Sequence, residues 1–99
     1  MTGTLSPTEA AAARKYGSDY AKAQDAGRAA DKVMTAKQEL AAARALLSPA
    51  CVVVMDKIAG RGNTIADVAR LGGISAETVE DAFIRSCKRL AEHYEASAA

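Results

Sequence analysis

Catalysis needs a nucleophile beside a base, a metal cage or a phosphate-binding loop, and this 99-residue sequence supplies none of these constellations. It holds one His, His93, and two Cys, Cys51 and Cys87, with no Cys-x-x-Cys pair and so no zinc-type ligand spacing. The expectation is a non-enzyme that uses no metal and no cofactor. Both thiols are expected as buried core residues, and His93 as a favourable charge near a helix C-terminus. The side chains still able to do chemistry cluster between Arg61 and Arg89. Arg61, Arg70, Arg85, Lys88 and Arg89 can meet phosphate oxygens or base edges. Glu77 and Asp81 can accept a hydrogen bond from a cytosine amino group. That is non-covalent recognition, and it works only if rigid elements hold those side chains at fixed spacing.

The elements that would do so are all helical. Ser6-Pro7-Thr8-Glu9 combines a capping Ser, a Pro at the first helical position and a Glu three residues after the cap, which starts a helix near Pro7. Ala propensity carries that helix on to Ala26, but Tyr16 and Tyr20 are its only large apolar side chains. Weak docking is therefore expected, with Gly17 and Gly27 as breaks and the first 27 residues as an arm that orders against a partner. From Arg28 to Leu47, Ala29, Val33, Ala36, Leu40, Ala43 and Leu47 recur in steps of four and three, a heptad seam. This seam either packs onto the chain's own C-terminal half or pairs with a second copy. Ser48-Pro49 starts another helix, with Cys51, Val54, Met55 and Ile58 on one face and Gly60 at its end. Arg61-Gly62-Asn63 is then a turn, and Asn63 or Thr64 caps the next helix.

The stretch from Thr64 to Leu90 meets the requirements of a helix-turn-helix: a small residue where two helices cross, a Gly in the turn and apolar locks that fix the angle. Ala69 is the crossing residue, Gly73 suits the positive φ of the turn, and Ile65, Val68, Ile74, Val79 and Ala82 are the locks. Ser75 caps the second helix, whose Val79, Phe83, Ser86, Leu90 and Tyr94 form a core-facing stripe. Asp67-Val68-Ala69, Gly73, Ser75 and Thr78-Val79 resemble, in register, the helix-turn-helix regulators of bacteria and phages, including the lac-repressor type. From Ser48 to Arg89-Leu90-Ala91-Glu92-His93-Tyr94 the chain also looks like alphaproteobacterial and prophage-associated helix-turn-helix proteins, some related to gene-transfer-agent regulation. The resemblance implies that Ala76, Glu77, Glu80, Asp81 and Ile84 face the major groove. With the nearby cations and capping residues, the candidate double-stranded-DNA-contacting set is Arg61, Thr64, Arg70, Ser75, Ala76, Glu77, Thr78, Asp81, Ile84, Arg85, Lys88 and Arg89.

The expected architecture is thus all-α: a helical arm and heptad helix over 1–47, then a helix-turn-helix domain over 48–99 with a long last helix. The apolar fraction is 49%, but 24 of those residues are Ala, which bury little surface each. A thin core favours a homo-oligomer, a dimer through Val33, Ala36, Leu40, Ala43 and Leu47. Formal charge is +1 with both signs interspersed, and from Asp56 onward acidic residues outnumber basic ones by one, unlike the basic footprint of most DNA-binding domains. Asp81 with Arg85, and Lys88 with Glu92, are spaced for surface ion pairs. No apolar run approaches the roughly 20 residues of a membrane span, and Met1 to Pro7 has no signal-peptide core, so a cytoplasmic protein without a membrane partner is expected. Three functions fit. One is a dimeric transcription regulator. Another is a sigma-like or adaptor module that docks RNA polymerase or another protein, favoured by the acidic turn and an exposed Ile84. The third, a recognition subunit of phage DNA packaging, usually places the motif before its oligomerisation helices, the reverse of this order.

Overall fold

The computed structural model describes residues 5–25, 27 and 29–98, and every element in them is helical. Helix α1 is Pro7–Ala23, α2 is Ala30–Arg44 and α3 is Pro49–Met55, which continues as a π-helical turn over Asp56–Gly60. Helix α4 is Ile65–Gly72 and α5 is Ala76–Ala98. Helix α1 stops at Ala23 with Gln24 as its C-cap, short of the expected end at Ala26, while Ala26 and Arg28 themselves lie outside the described residues.

Local signals set the starts. Ser6 Oγ accepts from the Glu9 amide while the Glu9 carboxylate accepts from the Ser6 amide, closing the box around Pro7. Ser48 Oγ accepts from the Cys51 amide at 3.3 Å, so Val52 to Val54 are helical despite their β-branched side chains.

Packing overturns the picture of a loosely docked arm. Helix α1 lies against α2, α5 and the π-turn, and Ala12, Tyr16 and Tyr20 are buried with Leu40, Ala43, Met55, Cys87, Leu90 and Ala91 in one cluster. The Ala residues that bury little area are what let the helices approach closely: Ala12 is 2% exposed and Ala43 0%. Gly17 is no break. The helix runs through it, and a Cβ there would overlap the Ala59 carbonyl oxygen and come within 3.2 Å of its carbon. On the other side of the contact, a Cβ at Gly60 would sit 2.8 Å from Cγ of Tyr20. The two glycines thus bring α1 and the π-turn together, Gly17 against the Ala59 backbone and Gly60 beneath the Tyr20 ring.

Polar side chains fasten the same junction. The Tyr16 hydroxyl donates to Asp56 Oδ1 at 2.6 Å, and Arg44 Nη2 meets Asp56 Oδ2 at 2.8 Å, tying α1, α2 and the π-turn to one carboxylate. Burial, followed by the Asp56 hydrogen bond, pushes the Tyr16 phenol up to about 12. Asp19, 6% exposed, is compensated by Lys15 Nζ at 3.1 Å.

The heptad seam is also used within the chain. Ala36, Leu40 and Ala43 are buried in the single protomer and Val33 and Leu47 are half-buried, so the middle of this stripe is covered within the chain, while Ala29 at its start is exposed. The two thiols differ. Cys87 is buried, but Cys51 is only half-buried, because the first turn of α3 lies at the edge of the core.

Candidate nucleic-acid interface

The charged stretch is carried by α4, a tight turn and α5. Thr64 Oγ1 accepts from the Asp67 amide at 3.1 Å and the Asp67 carboxylate accepts from the Thr64 amide at 3.2 Å, so α4 starts at a closed box. These hydrogen bonds from Thr64, with Arg70 nearby, hold the Asp67 carboxyl below the usual carboxylate range. Gly73 ends α4 in the left-handed region at φ 67°, where a side chain would be strained, and the Ile74 amide reaches back to the Ala69 carbonyl at 3.1 Å. Ser75 Oγ then accepts from the Thr78 amide at 3.1 Å and starts α5. Val68, Ala69 and Val79 are buried with Val54 between the two helices, and Ile65 and Ala82 pack against them.

Two apolar residues depart from expectation. Ile74 is 48% exposed and does not lock the pair. Its side chain lies toward Gly72, where a Cβ would be 3.6 Å from Ile74 Cγ1, because the left-handed Gly73 turns the chain outward at this point. Ile84, expected exposed, is half-buried at the border of the core-facing stripe. That stripe itself forms as expected, with Val79, Ser86 and Leu90 buried and Phe83 and Tyr94 packed beside the core.

The candidate contact residues fall into three groups. Ala76, Glu77, Thr78, Asp81, Arg85, Lys88 and Arg89 are exposed on α5, and they follow one another along its solvent side. Thr64, Ser75 and Thr78 are engaged in capping, with the Ser75 and Thr78 hydroxyls 2.7 Å apart. Arg61 precedes α4 and Arg70 lies in its last turn: Arg61 Nε donates to the Tyr20 hydroxyl at 3.0 Å, and Arg70 Nη2 pairs with Asp67 Oδ1 at 3.1 Å. The Arg61 bond also lowers the Tyr20 phenol pKa, with a second hydrogen bond from Gln24.

Asp81 and Arg85 form the expected surface pair at 3.0 Å. Glu92, however, pairs with Arg89 at 3.8 Å and not with Lys88, because i,i+3 geometry is equally open to it. Lys88 is exposed without an ion-pair partner among the described residues. The His93 ring stands 5.3 Å from that of Tyr94, tilted by 52°, and His93 lies more than a turn before the end of α5, outside the last turn where the free carbonyls are. Sequence reasoning missed the Tyr20 to Arg61 bond, which anchors the segment before α4 to α1. Its partners are 41 residues apart and no local pattern marks them.

No family model, curated protein or solved structure matches the chain. No described helix is long and apolar enough to cross a membrane.

Proposed function

We propose that this chain is a transcription regulator that binds double-stranded DNA by laying α5 in the major groove, with α4 crossing above it. The observation that carries the reading is the α4–α5 unit itself: locked by Val68, Ala69 and Val79 beneath, bent at a left-handed Gly73, and exposed without interruption from Arg70 to Thr78. Arg61, Arg70, Lys88 and Arg89 flank the exposed helix face and supply the phosphate contacts. Self-association, if a two-fold operator requires it, uses a surface other than the α2 seam.

Most of these cations already have intramolecular partners, so few counterions are released. With about three to five phosphates neutralised, log affinity falls against log salt with a slope of about −3 to −5 per half-site. Fluorescence anisotropy at several salt concentrations, on selected and scrambled duplexes, tests this. Lys88→Ala weakens binding to every duplex and flattens the slope by about 1 if Lys88 touches phosphate.

A second reading, docking onto RNA polymerase or another protein, is favoured by Leu71 at 68% and Ile74 at 48% exposure beside the acidic first turn of α5. It replaces the first if no duplex binds better than micromolar at low salt while Leu71→Ser with Ile74→Ser abolishes binding to purified polymerase.

A further inference from the structure

The acidic first turns of α5 are an obstacle for a helix in a DNA groove unless they serve the cation behind them. The solvent-facing positions there are Ala76, Glu77, Thr78 and Asp81: a methyl group, two carboxylates, and a hydroxyl already engaged with Ser75. None is a free donor for the acceptor atoms of a purine edge. Arg85 stands four residues beyond Asp81, about 6 Å farther along the axis. Its guanidinium does not stay there. Arg85 Nη2 lies 3.0 Å from Asp81 Oδ2, so the guanidinium is drawn back one turn, to the level where the N-terminal part of α5 would meet bases. The two side chains remain 71% and 65% exposed, so the pair stands in solvent with donors to spare. A guanidinium has five donors in a planar fork, and one contact to a carboxylate leaves an edge able to make the bidentate bond to guanine O6 and N7.

We infer that Arg85 reads a guanine and that Asp81 is the positioning residue that aims it. This rests on the reading of α5 as the groove helix. Asp81 does not bind DNA for affinity: it holds Arg85 away from the phosphates and leaves Lys88, Arg89, Arg70 and Arg61 as the backbone contacts. The acidic turn is then the source of base preference, obtained at the expense of overall affinity. Of the other charged groups on this face, Glu77 precedes the pair by one turn and Lys88 follows it, and neither is ion-paired to Arg85.

The test is selection of the intact protein on a pool of duplexes with a randomised core, followed by anisotropy on the winning duplex and its single-base replacements at constant salt. The wild type is expected to select one fixed guanine per half-site and to lose about 10- to 100-fold in affinity when that guanine becomes adenine. Arg85→Lys keeps the charge but removes the fork, and should bind both duplexes equally. Asp81→Asn should reduce the guanine preference about tenfold while leaving the adenine duplex bound as well as before, or tighter. Both side chains are exposed, and unchanged thermal melting of the variants checks that the fold is intact. Two results overturn the inference: a guanine preference that survives Arg85→Lys, or an Asp81→Asn protein that binds all duplexes tighter by one common factor. A wild type that enriches no sequence, yet binds duplex in a salt-dependent way, also overturns it while leaving DNA binding standing. Failure to bind any duplex sinks the groove reading itself.

Discussion

Replacing Gly17 by Ala separates sequence logic from structure. In an isolated helix this change is stabilising, since Gly in a helix interior is worse than Ala by about 0.8–1 kcal/mol. In the folded chain the new methyl would overlap the Ala59 carbonyl oxygen and stand 3.2 Å from its carbon. Carbon atoms prefer separations of roughly 3.5–4.0 Å, so α1 must retreat from the π-turn by roughly 1 Å. That retreat loosens Tyr20 against Gly60 and stretches the 2.6 Å bond from Tyr16 to Asp56. Overpacking of a close contact costs about 1–3 kcal/mol, which outweighs most or all of the propensity gain. The expected net loss is up to about 2 kcal/mol, equivalent to a fall in Tm of as much as about 8–16 °C for a domain of this size. Urea denaturation monitored by circular dichroism measures it, with Ser18→Ala as the control: Ser18 is exposed on the same helix, so Ala there adds stability or changes nothing. A Gly17→Ala protein that is more stable than wild type would refute the backbone contact between α1 and the π-turn.

Three further outcomes follow from the packing. Gly73→Val should cost about 1–3 kcal/mol through backbone strain alone, because no atom lies within 4 Å of a Cβ there, and Gly73→Asn should cost less; equal melting temperatures for the two variants would place the turn elsewhere. Leu40→Ala should lower stability by about 2–5 kcal/mol at any protein concentration, and a loss that vanishes on dilution would return the seam to an intermolecular role. Stability should fall in alkali. Burial raises the Cys87 thiol from 9.0 to about 12 and the Tyr16 phenol from 10.0 to about 12. The unfolded chain therefore releases these protons first, and the stabilisation, complete below about pH 9, drains away as pH climbs toward 12. The urea midpoint measured from pH 8 to 11 should decline, and Tyr16→Phe should soften the decline above pH 10. A midpoint that is flat throughout this range contradicts the burial of both groups.

What could be read from the residues in order was whatever a neighbour within four positions decides. The caps at Ser6, Ser48, Thr64 and Ser75 and the left-handed Gly73 are of this kind, and each stands where its sequence placed it. So does the core stripe of α5, since periodicity alone selects its face. The docking of α1 was illegible for a different reason. Its large side chains are few, and what binds it are Ala and Gly positions that gain by letting backbones approach, together with a carboxylate 40 residues away from Tyr16. Neither leaves a periodic trace. The seam of α2 was visible, but a heptad pattern does not say which helix covers it, and here α1 does. At the interface, residue types marked the cations, while the choice of Glu92 for Arg89 and the aim of Arg85 toward Asp81 depend on side-chain geometry.

The Tyr16 to Asp56 bond also bears on how the protein is made. A ribosome adding about 5–20 residues per second delivers Asp56 about 2–8 seconds after Tyr16, given their separation of 40 residues. During that interval α1 has its capping box but neither the carboxylate for its phenol nor the glycine-lined turn for its backbone. The last helix, which closes over Tyr16 and Tyr20 with Leu90 and Ala91, emerges later still. The cluster around Tyr16 and Tyr20 is therefore complete only once Leu90 and Ala91 of α5 have left the ribosome, and until then the apolar faces of α1 and α2 lack part of their cover.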